Sequence, residues 1–350
     1  MSDKHLHHKS LLAPFRSAFY EGDIDNLRRE MDKVFAADCV FHMCHPFGDL
    51  IGVDAYFEAV IKPLFAAMPD CERRDFIVMA GTTEHGGDWV GCGGNFIGIF
   101  AHPYLSIPPT GHLAHMRFHE FYEFKDEKII QMQTIWDIPE LMVQAGAWPL
   151  APSLGREWAI PGPSSQDGLA MGPRDDALSA ASCDLIVDML THMKRHPQEG
   201  GPEVMEMPRF WHEKMSWYGP SGIGTGRGIH GFRHWHQIPF LSGMPDRGQY
   251  VGDITYHFFG ENNYAAVTGW PDMLQTHTHD GWLGLPPTGK KLEMRSLDFW
   301  RMENGKIREN WVTVDLLHVY DQLGIDVFRR IEEFNKARHG MSGYTPLKAD

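Results

Sequence analysis

Two aspartates hold matching positions in the two halves of the chain, each directly after a short apolar run. Asp315 follows residues 311–314 (WVTV), and Asp137 follows residues 133–136 (QTIW). A carboxyl group held among tryptophan and aliphatic side chains loses hydration, so its pKa rises toward the range that suits proton transfer near neutral pH. We therefore predict that Asp315 and Asp137 are general acid–base residues. The alternative is that each caps a following helix, because aspartate is favoured at helix N-caps.

A histidine pair lies upstream of Asp315. In residues 276–280 (THTHD), the alternation of a strand places His277 and His279 on one face, with Asp280 at the end. A histidine beside an acid can return a proton or polarise a carbonyl group, so we predict that this pair assists Asp315 in catalysis. Two structural histidines are the alternative. Such a set can also bind a metal, but the chain holds 21 histidines and we expect no metal.

Six further side chains are predicted to line a substrate pocket, which needs mainly apolar walls and a few polar groups. Two of them are carboxylates, each on the strand that pairs with the strand leading into one of the two aspartates. Pairing with arginine or an indole N–H is the alternative role for both. The other four are aromatic or imidazole side chains. The six are Asp298, Trp311, Trp282, Tyr218, Glu120 and His42.

The elements that must position these residues occur twice, because the chain contains an internal repeat. Residues 107–111 (IPPTG) and 285–289 (LPPTG) are 178 residues apart, as are Asp137 and Asp315. A repeat that keeps its register over such a length indicates a duplication. Each half is therefore predicted to be a folding unit.

The order of elements is predicted to be the same in both units, because each opens with helical patterns and continues mainly in strands. We place the first unit at 8–150 and the second at 175–340. The Pro- and Gly-rich residues 151–174 are predicted to be a linker packed on the surface. A duplicated pair of this kind is expected to form an internal pseudo-dimer about a pseudo-twofold axis, and a further homo-oligomer is left open.

A hairpin is predicted at residues 303–306 (ENGK), because Asn-Gly between two alternating segments is a strong turn signal. Counting back from this turn with a two-residue period places Asp298 and Asp315 on the same face of the sheet. The same count in the first half places Glu120 on one face with Asp137. The pattern therefore predicts one carboxylate from each of the two strands on a shared face in both units.

The composition excludes several classes of protein. The net charge of −14 argues against nucleic acid and anionic membranes as partners. No apolar run reaches the length of a membrane span, and the five cysteines contain no CxxC pair, which is typical of a cytoplasmic protein. The glycine-rich residues 222–228 lack the spacing of a dinucleotide-binding loop. We therefore expect no phosphate binding by this segment.

Several of these motifs together resemble the SnoaL-like polyketide cyclase family. They are residues 276–290 (THTHDGWLGLPPTGK), residues 305–311 (GKIRENW), Asp315 and residues 322–324 (QLG), with a weaker match in register across the first half. The resemblance implies a cone-shaped α+β fold, shared with nuclear transport factor 2 and ketosteroid isomerase, in which a curved mixed sheet wraps a helix and leaves an apolar pocket. It also implies cofactor-free proton abstraction beside a carbonyl group by Asp315, and by register gives Asp137 that position in the first unit.

The expected function is that of a cofactor-independent enzyme that acts on a small or medium carbonyl compound by enolisation. Aldol-type cyclisation, isomerisation and dehydration share that first step. A hydrolase that uses an aspartate-activated water, and a non-catalytic ligand-binding or assembly module, are the alternatives. The second unit is expected to be the working site, because only it combines His277, His279, Trp311 and Asp315.

Overall fold

A computed structural model gives the fold and describes residues 4–250, 254–279 and 281–342, with residues 336–342 described by their backbone alone. Asp280, predicted to lie beside the histidine pair, falls outside these residues. The described chain forms two cone-shaped α+β units, in each of which a curved mixed sheet wraps around helices. The predicted fold class is confirmed.

The first unit begins with two helices that close one side of its sheet. The second of these starts where Asp23 accepts a hydrogen bond from the backbone N–H of Asn26, and its buried side carries Leu27, Met31 and Val34 at helical spacing. The elements of the unit are α1 (Lys4–Tyr20), α2 (Ile24–Val34), β1 (Phe35–Met43), β2 (Asp49–Ile51), α3 (Val53–Tyr56), a π-helical turn (Phe57–Ile61), α4 (Lys62–Ala67), β3 (Glu72–Thr82), β4 (Asp88–Ile99), β5 (Leu113–Lys125), β6 (Lys128–Trp136) and α5 (Ile138–Gln144).

The second unit repeats this order, but the strands equivalent to β4 and β5 are each divided in two, and a further helix follows at the end. Its elements are α6 (Asp176–Met193), a 3-10 turn (Pro202–Met205), α7 (Met207–Phe210), β7 (Trp211–Tyr218), β8 (Gly226–Arg227), α8 (Gly228–Phe232), a π-helical turn (Arg233–Gln237), α9 (Ile238–Gly243), β9 (His257–Glu261), β10 (Tyr264–Thr268), β11 (Met273–Thr276), a 3-10 turn (Trp282–Gly284), β12 (Lys291–Met294), β13 (Ser296–Glu303), β14 (Lys306–Val314), α10 (Leu316–Leu323) and α11 (Val327–Ser342).

The two six-stranded sheets have the same topology. The strand order is β2-β1-β6-β5-β4-β3 in the first and β8-β7-β14-β13-β10-β9 in the second, while β11 and β12 form a separate two-stranded ladder equivalent to the outer ends of β4 and β5. The central pairs β1–β6 and β7–β14 are parallel, and the other neighbours are antiparallel.

The predicted strand register holds at the turn but is wrong beyond it. Glu303 pairs with Lys306 as predicted, but a bulge at Arg308 then shifts β14, so that Asp298 pairs with Val312. Because one extra residue moves every later side chain to the opposite face, Asp298 and Asp315 do not share a face.

The first unit contains the same bulge. The register between β5 and β6 shifts at Ile130, and Glu120 then pairs with Thr134. Glu120 and Asp137 therefore also lie on opposite faces of their sheet. The bulge was present in both copies of the repeat, since Ile130 and Arg308 occupy equivalent positions 178 residues apart.

The two sheets pack against each other about a pseudo-twofold axis. Phe121 stacks on Phe299, its equivalent in the other unit, with ring centroids 5.0 Å apart. The ring nitrogen Nδ1 of His119 lies 2.7 Å from the carbonyl oxygen of Leu297, which is again its equivalent. Contacts between equivalent positions are what a twofold arrangement produces.

Residues 151–174 contact both units. The backbone carbonyl of Gly168 accepts a hydrogen bond from the Val78 N–H at 2.8 Å in the first unit. In the second unit the hydroxyl of Ser164 donates to Glu309 at 3.0 Å. Among the helices in the described part of the chain, none combines the length and the apolar character that a membrane crossing requires.

Candidate active site

A cavity of about 280 Å³ lies inside the second unit, between its sheet and the helices α6, α8 and α9. Its walls are mainly apolar, and aromatic rings make up much of them. This volume and lining suit a small or medium organic molecule with a flat ring system. The aromatic walls are Trp211, Trp217, Phe232, Phe240, Tyr256, Phe258, Trp282 and Trp300.

The bulge in β14 determines which side chains reach this cavity. Ser296 and Asp298 alternate along β13 and point to it, while Asn310 and Val312 do so from β14, beyond the bulge. Without the extra residue, β14 would present Trp311 to the same space. Asp298 of β13 therefore faces the cavity opposite the side-chain amide of Asn310 and the aliphatic side chain of Val312.

Asp298 is one of two carboxyl groups that the described residues bring to the cavity. Its oxygen accepts a hydrogen bond from the side-chain amide of Asn310 at 3.3 Å. Burial raises the pKa of Asp298 to about 7, against the opposing effect of the hydrogen bonds from Asn310 and Ser296. This carboxyl group can therefore both release and accept a proton near neutral pH.

Asp272 is the second carboxyl group, placed directly before β11. The backbone N–H of Ser296 donates to one of its oxygens at 2.9 Å, and the Ser296 hydroxyl donates to the other. Burial raises the pKa of Asp272 to about 8, and the neighbouring Asp298 adds to the rise. Two interacting acids of this kind titrate as a pair, so one can remain protonated while the other is ionised.

Arg247 brings a cation to the same cavity. Its guanidinium is buried, and two of its nitrogens, Nε and Nη1, have no hydrogen-bond partner among the described residues. Burial lowers the pKa of Arg247, and Tyr256, Asp272 and Asp298 act against that effect. Because a buried donor without a partner is costly, these N–H groups point to an acceptor supplied by a ligand.

Three more nitrogens in the cavity wall also lack partners within the described part of the chain. They are the indole Nε1 of Trp211, the indole Nε1 of Trp300 and the ring Nδ1 of His236. The imidazole of His236 stacks on Trp217, with centroids 4.1 Å apart, and burial lowers its pKa to about 3. His236 is therefore neutral at physiological pH and offers a hydrogen bond rather than a charge.

Asp315 lies at the junction of the two units and not in the wall of this cavity. One of its oxygens accepts from the backbone N–H of His318 at 3.2 Å, which caps α10, and the other accepts from the backbone N–H of His45 at 3.0 Å. Arg295 approaches it at 3.5 Å. The helix-capping alternative is thus present, while the catalytic role of Asp315 stays a prediction.

Asp137 occupies the equivalent position in the first unit. It accepts from the backbone N–H of Ser221 at 2.9 Å and from the guanidinium of Arg117 at 3.2 Å. Burial raises the pKa of Asp137 to about 7, with Arg117 acting in the opposite direction. Asp137 and Asp315 each hold the other unit's backbone, and this reciprocity follows from the pseudo-twofold axis.

The predicted histidine pair does not lie on a strand. β11 ends at Thr276, so His277 and His279 belong to the following loop, where His277 is buried and His279 is exposed. The prediction that strand alternation places them on one face is therefore wrong. His277 Nδ1 lies 3.3 Å from the hydroxyl of Thr288, and His279 Nδ1 lies 2.9 Å from that of Thr278. Neither is a wall residue of the cavity.

Of the six predicted pocket residues, the cavity contains Asp298 and Trp282. The other four have protein partners elsewhere. The indole of Trp311 donates to the carbonyl of Pro161 at 2.9 Å, the hydroxyl of Tyr218 donates to Glu309 at 3.1 Å, His42 pairs with Asp49 at 2.8 Å, and Glu120 accepts from the Trp136 indole at 3.0 Å.

The interior of the first unit is filled by larger side chains at the equivalent positions. Phe118 and Trp136 stand where the second unit has Ser296 and Val314. The buried charges there are paired within the protein, since the guanidinium of Arg73 contacts Glu120 and Asp75. The buried charges of the first unit are therefore paired within the protein, whereas those that face the cavity of the second unit are available to a ligand.

The sequence analysis missed Asp272, Arg247, His236 and Asn310. Arg247 follows a Met-Pro-Asp motif that the first copy continues with Cys71, and this difference was a signal that could have been used. Asp272 and His236 carry no comparable signal, because they reach the cavity from a loop and a helix that only the fold brings together.

One family model and several solved structures match this chain. The family model described as "SnoaL-like polyketide cyclase" matches residues 12–145 and 272–323, just over half of the chain. No curated protein matches. Among solved structures, AclR from Streptomyces galilaeus is 15% identical, with 41% of this chain and 97% of AclR covered and a TM-score of 0.34. IdmH from Streptomyces antibioticus is 22% identical, with 39% and 97% covered and a TM-score of 0.32.

Proposed function

Since the chain belongs to the SnoaL-like polyketide cyclase family, we propose that it is a cofactor-independent acid–base enzyme whose substrate is a carbonyl compound bound in the cavity of the second unit. The observation that carries the proposal is the meeting of two carboxyl groups of raised pKa, Asp298 and Asp272, with the guanidinium of Arg247, whose Nε and Nη1 have no hydrogen-bond partner among the described residues.

The chemistry begins with proton abstraction. The carboxylate of Asp298 takes a proton from the carbon beside the carbonyl group, and the electron pair of that C–H bond moves onto the carbonyl oxygen to give an enolate. Arg247 and the indole N–H of Trp300 are the donors available to that oxygen. Such donors are effective in a cavity with little water, because they need no reorganisation when the charge develops.

The second carboxyl group completes the cycle. Asp272, whose pKa is raised by burial and by the neighbouring Asp298, is the acid that returns a proton to carbon, to oxygen or to a leaving hydroxide. Aldol-type cyclisation, isomerisation and dehydration all use the enolate formed in the first step. The aromatic walls favour a flat substrate of one or two rings.

Proton exchange tests this proposal without knowledge of the natural reaction. 2-Tetralone, a flat bicyclic ketone, is incubated with the protein in deuterated water, and loss of the α-proton signal is followed by NMR. We expect exchange above the uncatalysed rate, with a decrease of about 100-fold or more in Asp298→Asn, because general-base catalysis contributes on the order of 10²–10⁴. Tyr20→Phe, an exposed change outside the cavity, is the matched control.

The same assay separates the alternatives. Exchange that survives in Asp298→Asn and Asp272→Asn but is lost in Asp315→Asn would place the base at Asp315, as first predicted from the sequence. Binding of 2-tetralone without any exchange would favour the non-catalytic ligand-binding module. Release of product from an ester or epoxide in the absence of exchange would favour the hydrolase.

A further inference from the structure

We infer that His45, His318 and Asp321 form a binding site for a divalent transition-metal ion, with Zn²⁺ as the best match, at the junction between the two units. One ligand atom from each side chain lies within 4.8 Å of the other two. Two imidazole nitrogens with a carboxylate oxygen are a ligand set that zinc accepts, with one coordination position left for water. The inference is independent of the proposed function.

The positions of both histidines are fixed by one carboxylate. Asp315 accepts from the backbone N–H of His45 in the first unit at 3.0 Å and from the backbone N–H of His318 in the second at 3.2 Å. Asp321 lies three residues after His318 on α10, so the two side chains share one face of the helix. The backbone that carries the three ligands is therefore held in place without a metal.

The His318 imidazole also lacks a partner. Its Nε2 is buried and accepts or donates no hydrogen bond to any residue that the structure describes. A buried polar atom of this kind requires a partner, which a metal ion would supply. The ring of His45 packs against Phe328 with centroids 6.1 Å apart. The positive charge of the nearby Arg295 is paired with Asp315, and the carboxylates of Asp321 and Glu293 add negative charge near the cluster.

The pseudo-twofold axis provides an internal comparison. Around Asp137, the positions equivalent to the three ligands hold Ser221, Glu140 and Val143. Those residues lack any imidazole, so the set occurs at one end of the junction. The proposed metal would therefore join the first unit to α10 of the second and stabilise their contact.

Zinc titration of the full chain tests this inference. After treatment with a chelator, Zn²⁺ is added at pH 7.5 and the heat is measured. We expect one saturable zinc per chain, with affinity reduced at least tenfold in Asp321→Asn and in His318→Gln. His112→Ala removes an exposed histidine outside the cluster and should bind as the parent does. His7→Ala serves in the same way for the histidine-rich N-terminus.

Thermal unfolding gives a second readout. With zinc at about 100 times the Kd of the parent, ligand linkage predicts a rise in Tm of roughly 3 °C or more in the parent and a rise of about half that or less in Asp321→Asn, because its site binds zinc at least tenfold more weakly. Asp321 is exposed, so the metal-free Tm of this variant should equal that of the parent. Parent-like zinc affinity in both Asp321→Asn and His318→Gln, loss of binding in His7→Ala alone, or no saturable binding below about 100 times the protein concentration would each overturn the inference.

Discussion

Burial of Asp298 and Asp272 lowers the stability of the folded protein and, at the same time, makes both carboxyl groups suitable for proton transfer. The pKa of each carboxyl group is raised from its ordinary value, Asp298 to about 7 and Asp272 to about 8, mainly by desolvation. A folded protein that holds such groups is penalised whenever the unfolded chain can ionise them more easily. Arg247 adds a buried cation of which two nitrogens, Nε and Nη1, have no hydrogen-bond partner among the residues that the structure describes. Residues that stabilise nothing on their own are typical of active sites.

The stability of the protein should therefore depend on pH through Asp298. Between the ordinary aspartate pKa and about 7, the folded state binds more protons than the unfolded state, so the free energy of unfolding falls as pH rises through this window. Asp298→Asn removes this effect. We expect the variant to gain stability relative to the parent at pH 8, by on the order of 1–3 kcal/mol, and to gain little at pH 4.

Urea denaturation of both proteins from pH 4 to pH 9 measures this difference. An equal effect of the substitution at both ends of the pH range would mean that Asp298 ionises normally in the folded state. Asp167→Asn is a suitable comparison, because hydrogen bonds lower the pKa of that aspartate against its partial burial, and the difference should then have the opposite sign.

Arg247 provides a second prediction at the scale of single residues. Replacing it with methionine removes the buried cation while keeping much of the volume. We expect the Tm to stay within a few degrees of the parent or to rise, since no protein hydrogen bond to Nε or Nη1 is lost.

The exchange rate with 2-tetralone should fall by roughly 100-fold or more, as is usual when a donor to a developing oxyanion is removed. Arg247→Lys should recover part of the rate, because it restores the charge. Full exchange activity in Arg247→Met would show that the guanidinium does not face the reacting oxygen.

At the scale of elements, one bulge decides what each sheet presents to its interior. The sequence was sufficient to predict the duplication, the order of helices and strands, and the turn at residues 303–306. It could not predict the shift at Arg308, because no Gly or Pro marks it. The resulting error exchanged the two faces and placed Asp298 beside Asp315. Asp272 and Arg247 could not be predicted either, since they come from loops whose path depends on tertiary packing.

Because β13 is the equivalent of β5 in the second unit, exchanging one residue between them tests how each strand shapes the interior of its unit. Ser296→Phe gives the second unit the residue found at Phe118 in the first, and we expect it to fill the cavity and abolish ketone binding while the protein stays folded. It also removes the hydroxyl that donates to Asp272. Ser296→Ala is the matched control, because it loses the same hydrogen bond without filling the space, and it should retain binding.

The reverse substitution, Phe118→Ser, opens a cavity in the packed first unit. We expect it to lower the free energy of unfolding by about 3–5 kcal/mol, as large-to-small changes of a buried phenylalanine do. Ketone binding and thermal unfolding measure the two effects. Tight ketone binding by Ser296→Phe would mean that the ligand occupies another site.

At the scale of the whole molecule, both units contribute to the junction between them, while the second unit alone contains the proposed active site. The sheet faces that carry Phe121 and Phe299 pack against each other. Asp137 and Asp315 each accept a hydrogen bond from a backbone N–H of the opposite unit. Only the remaining face of each sheet is available for a ligand. In the first unit that face is filled, while in the second it encloses the cavity. One copy can thus lose its pocket, because both are still needed to bury the junction.

Arg117 is the residue on which this junction most depends. Its guanidinium is fully buried and donates to the carbonyls of Tyr218, Gly219 and Val312 at 2.9–3.0 Å, all in the other unit, as well as to Asp137. Arg117→Met leaves three carbonyls and a carboxylate without their donor. We expect the free energy of unfolding to fall by about 3–5 kcal/mol.

The loss should appear in both units together, since the junction joins them. Chemical denaturation followed by the fluorescence of Trp136 alone and of Trp300 alone, in variants with the remaining tryptophans replaced by phenylalanine, reports each unit separately. We expect coincident transitions in the parent and in Arg117→Met. Arg295→Met is the comparison at the equivalent position, where the guanidinium lies 3.5 Å from Asp315 and 4.6 Å from the Trp270 ring, and its effect should be smaller. If Arg117→Met shifted the transition of the first unit alone, the units would be stable independently, and the filled copy would not be needed to support the other.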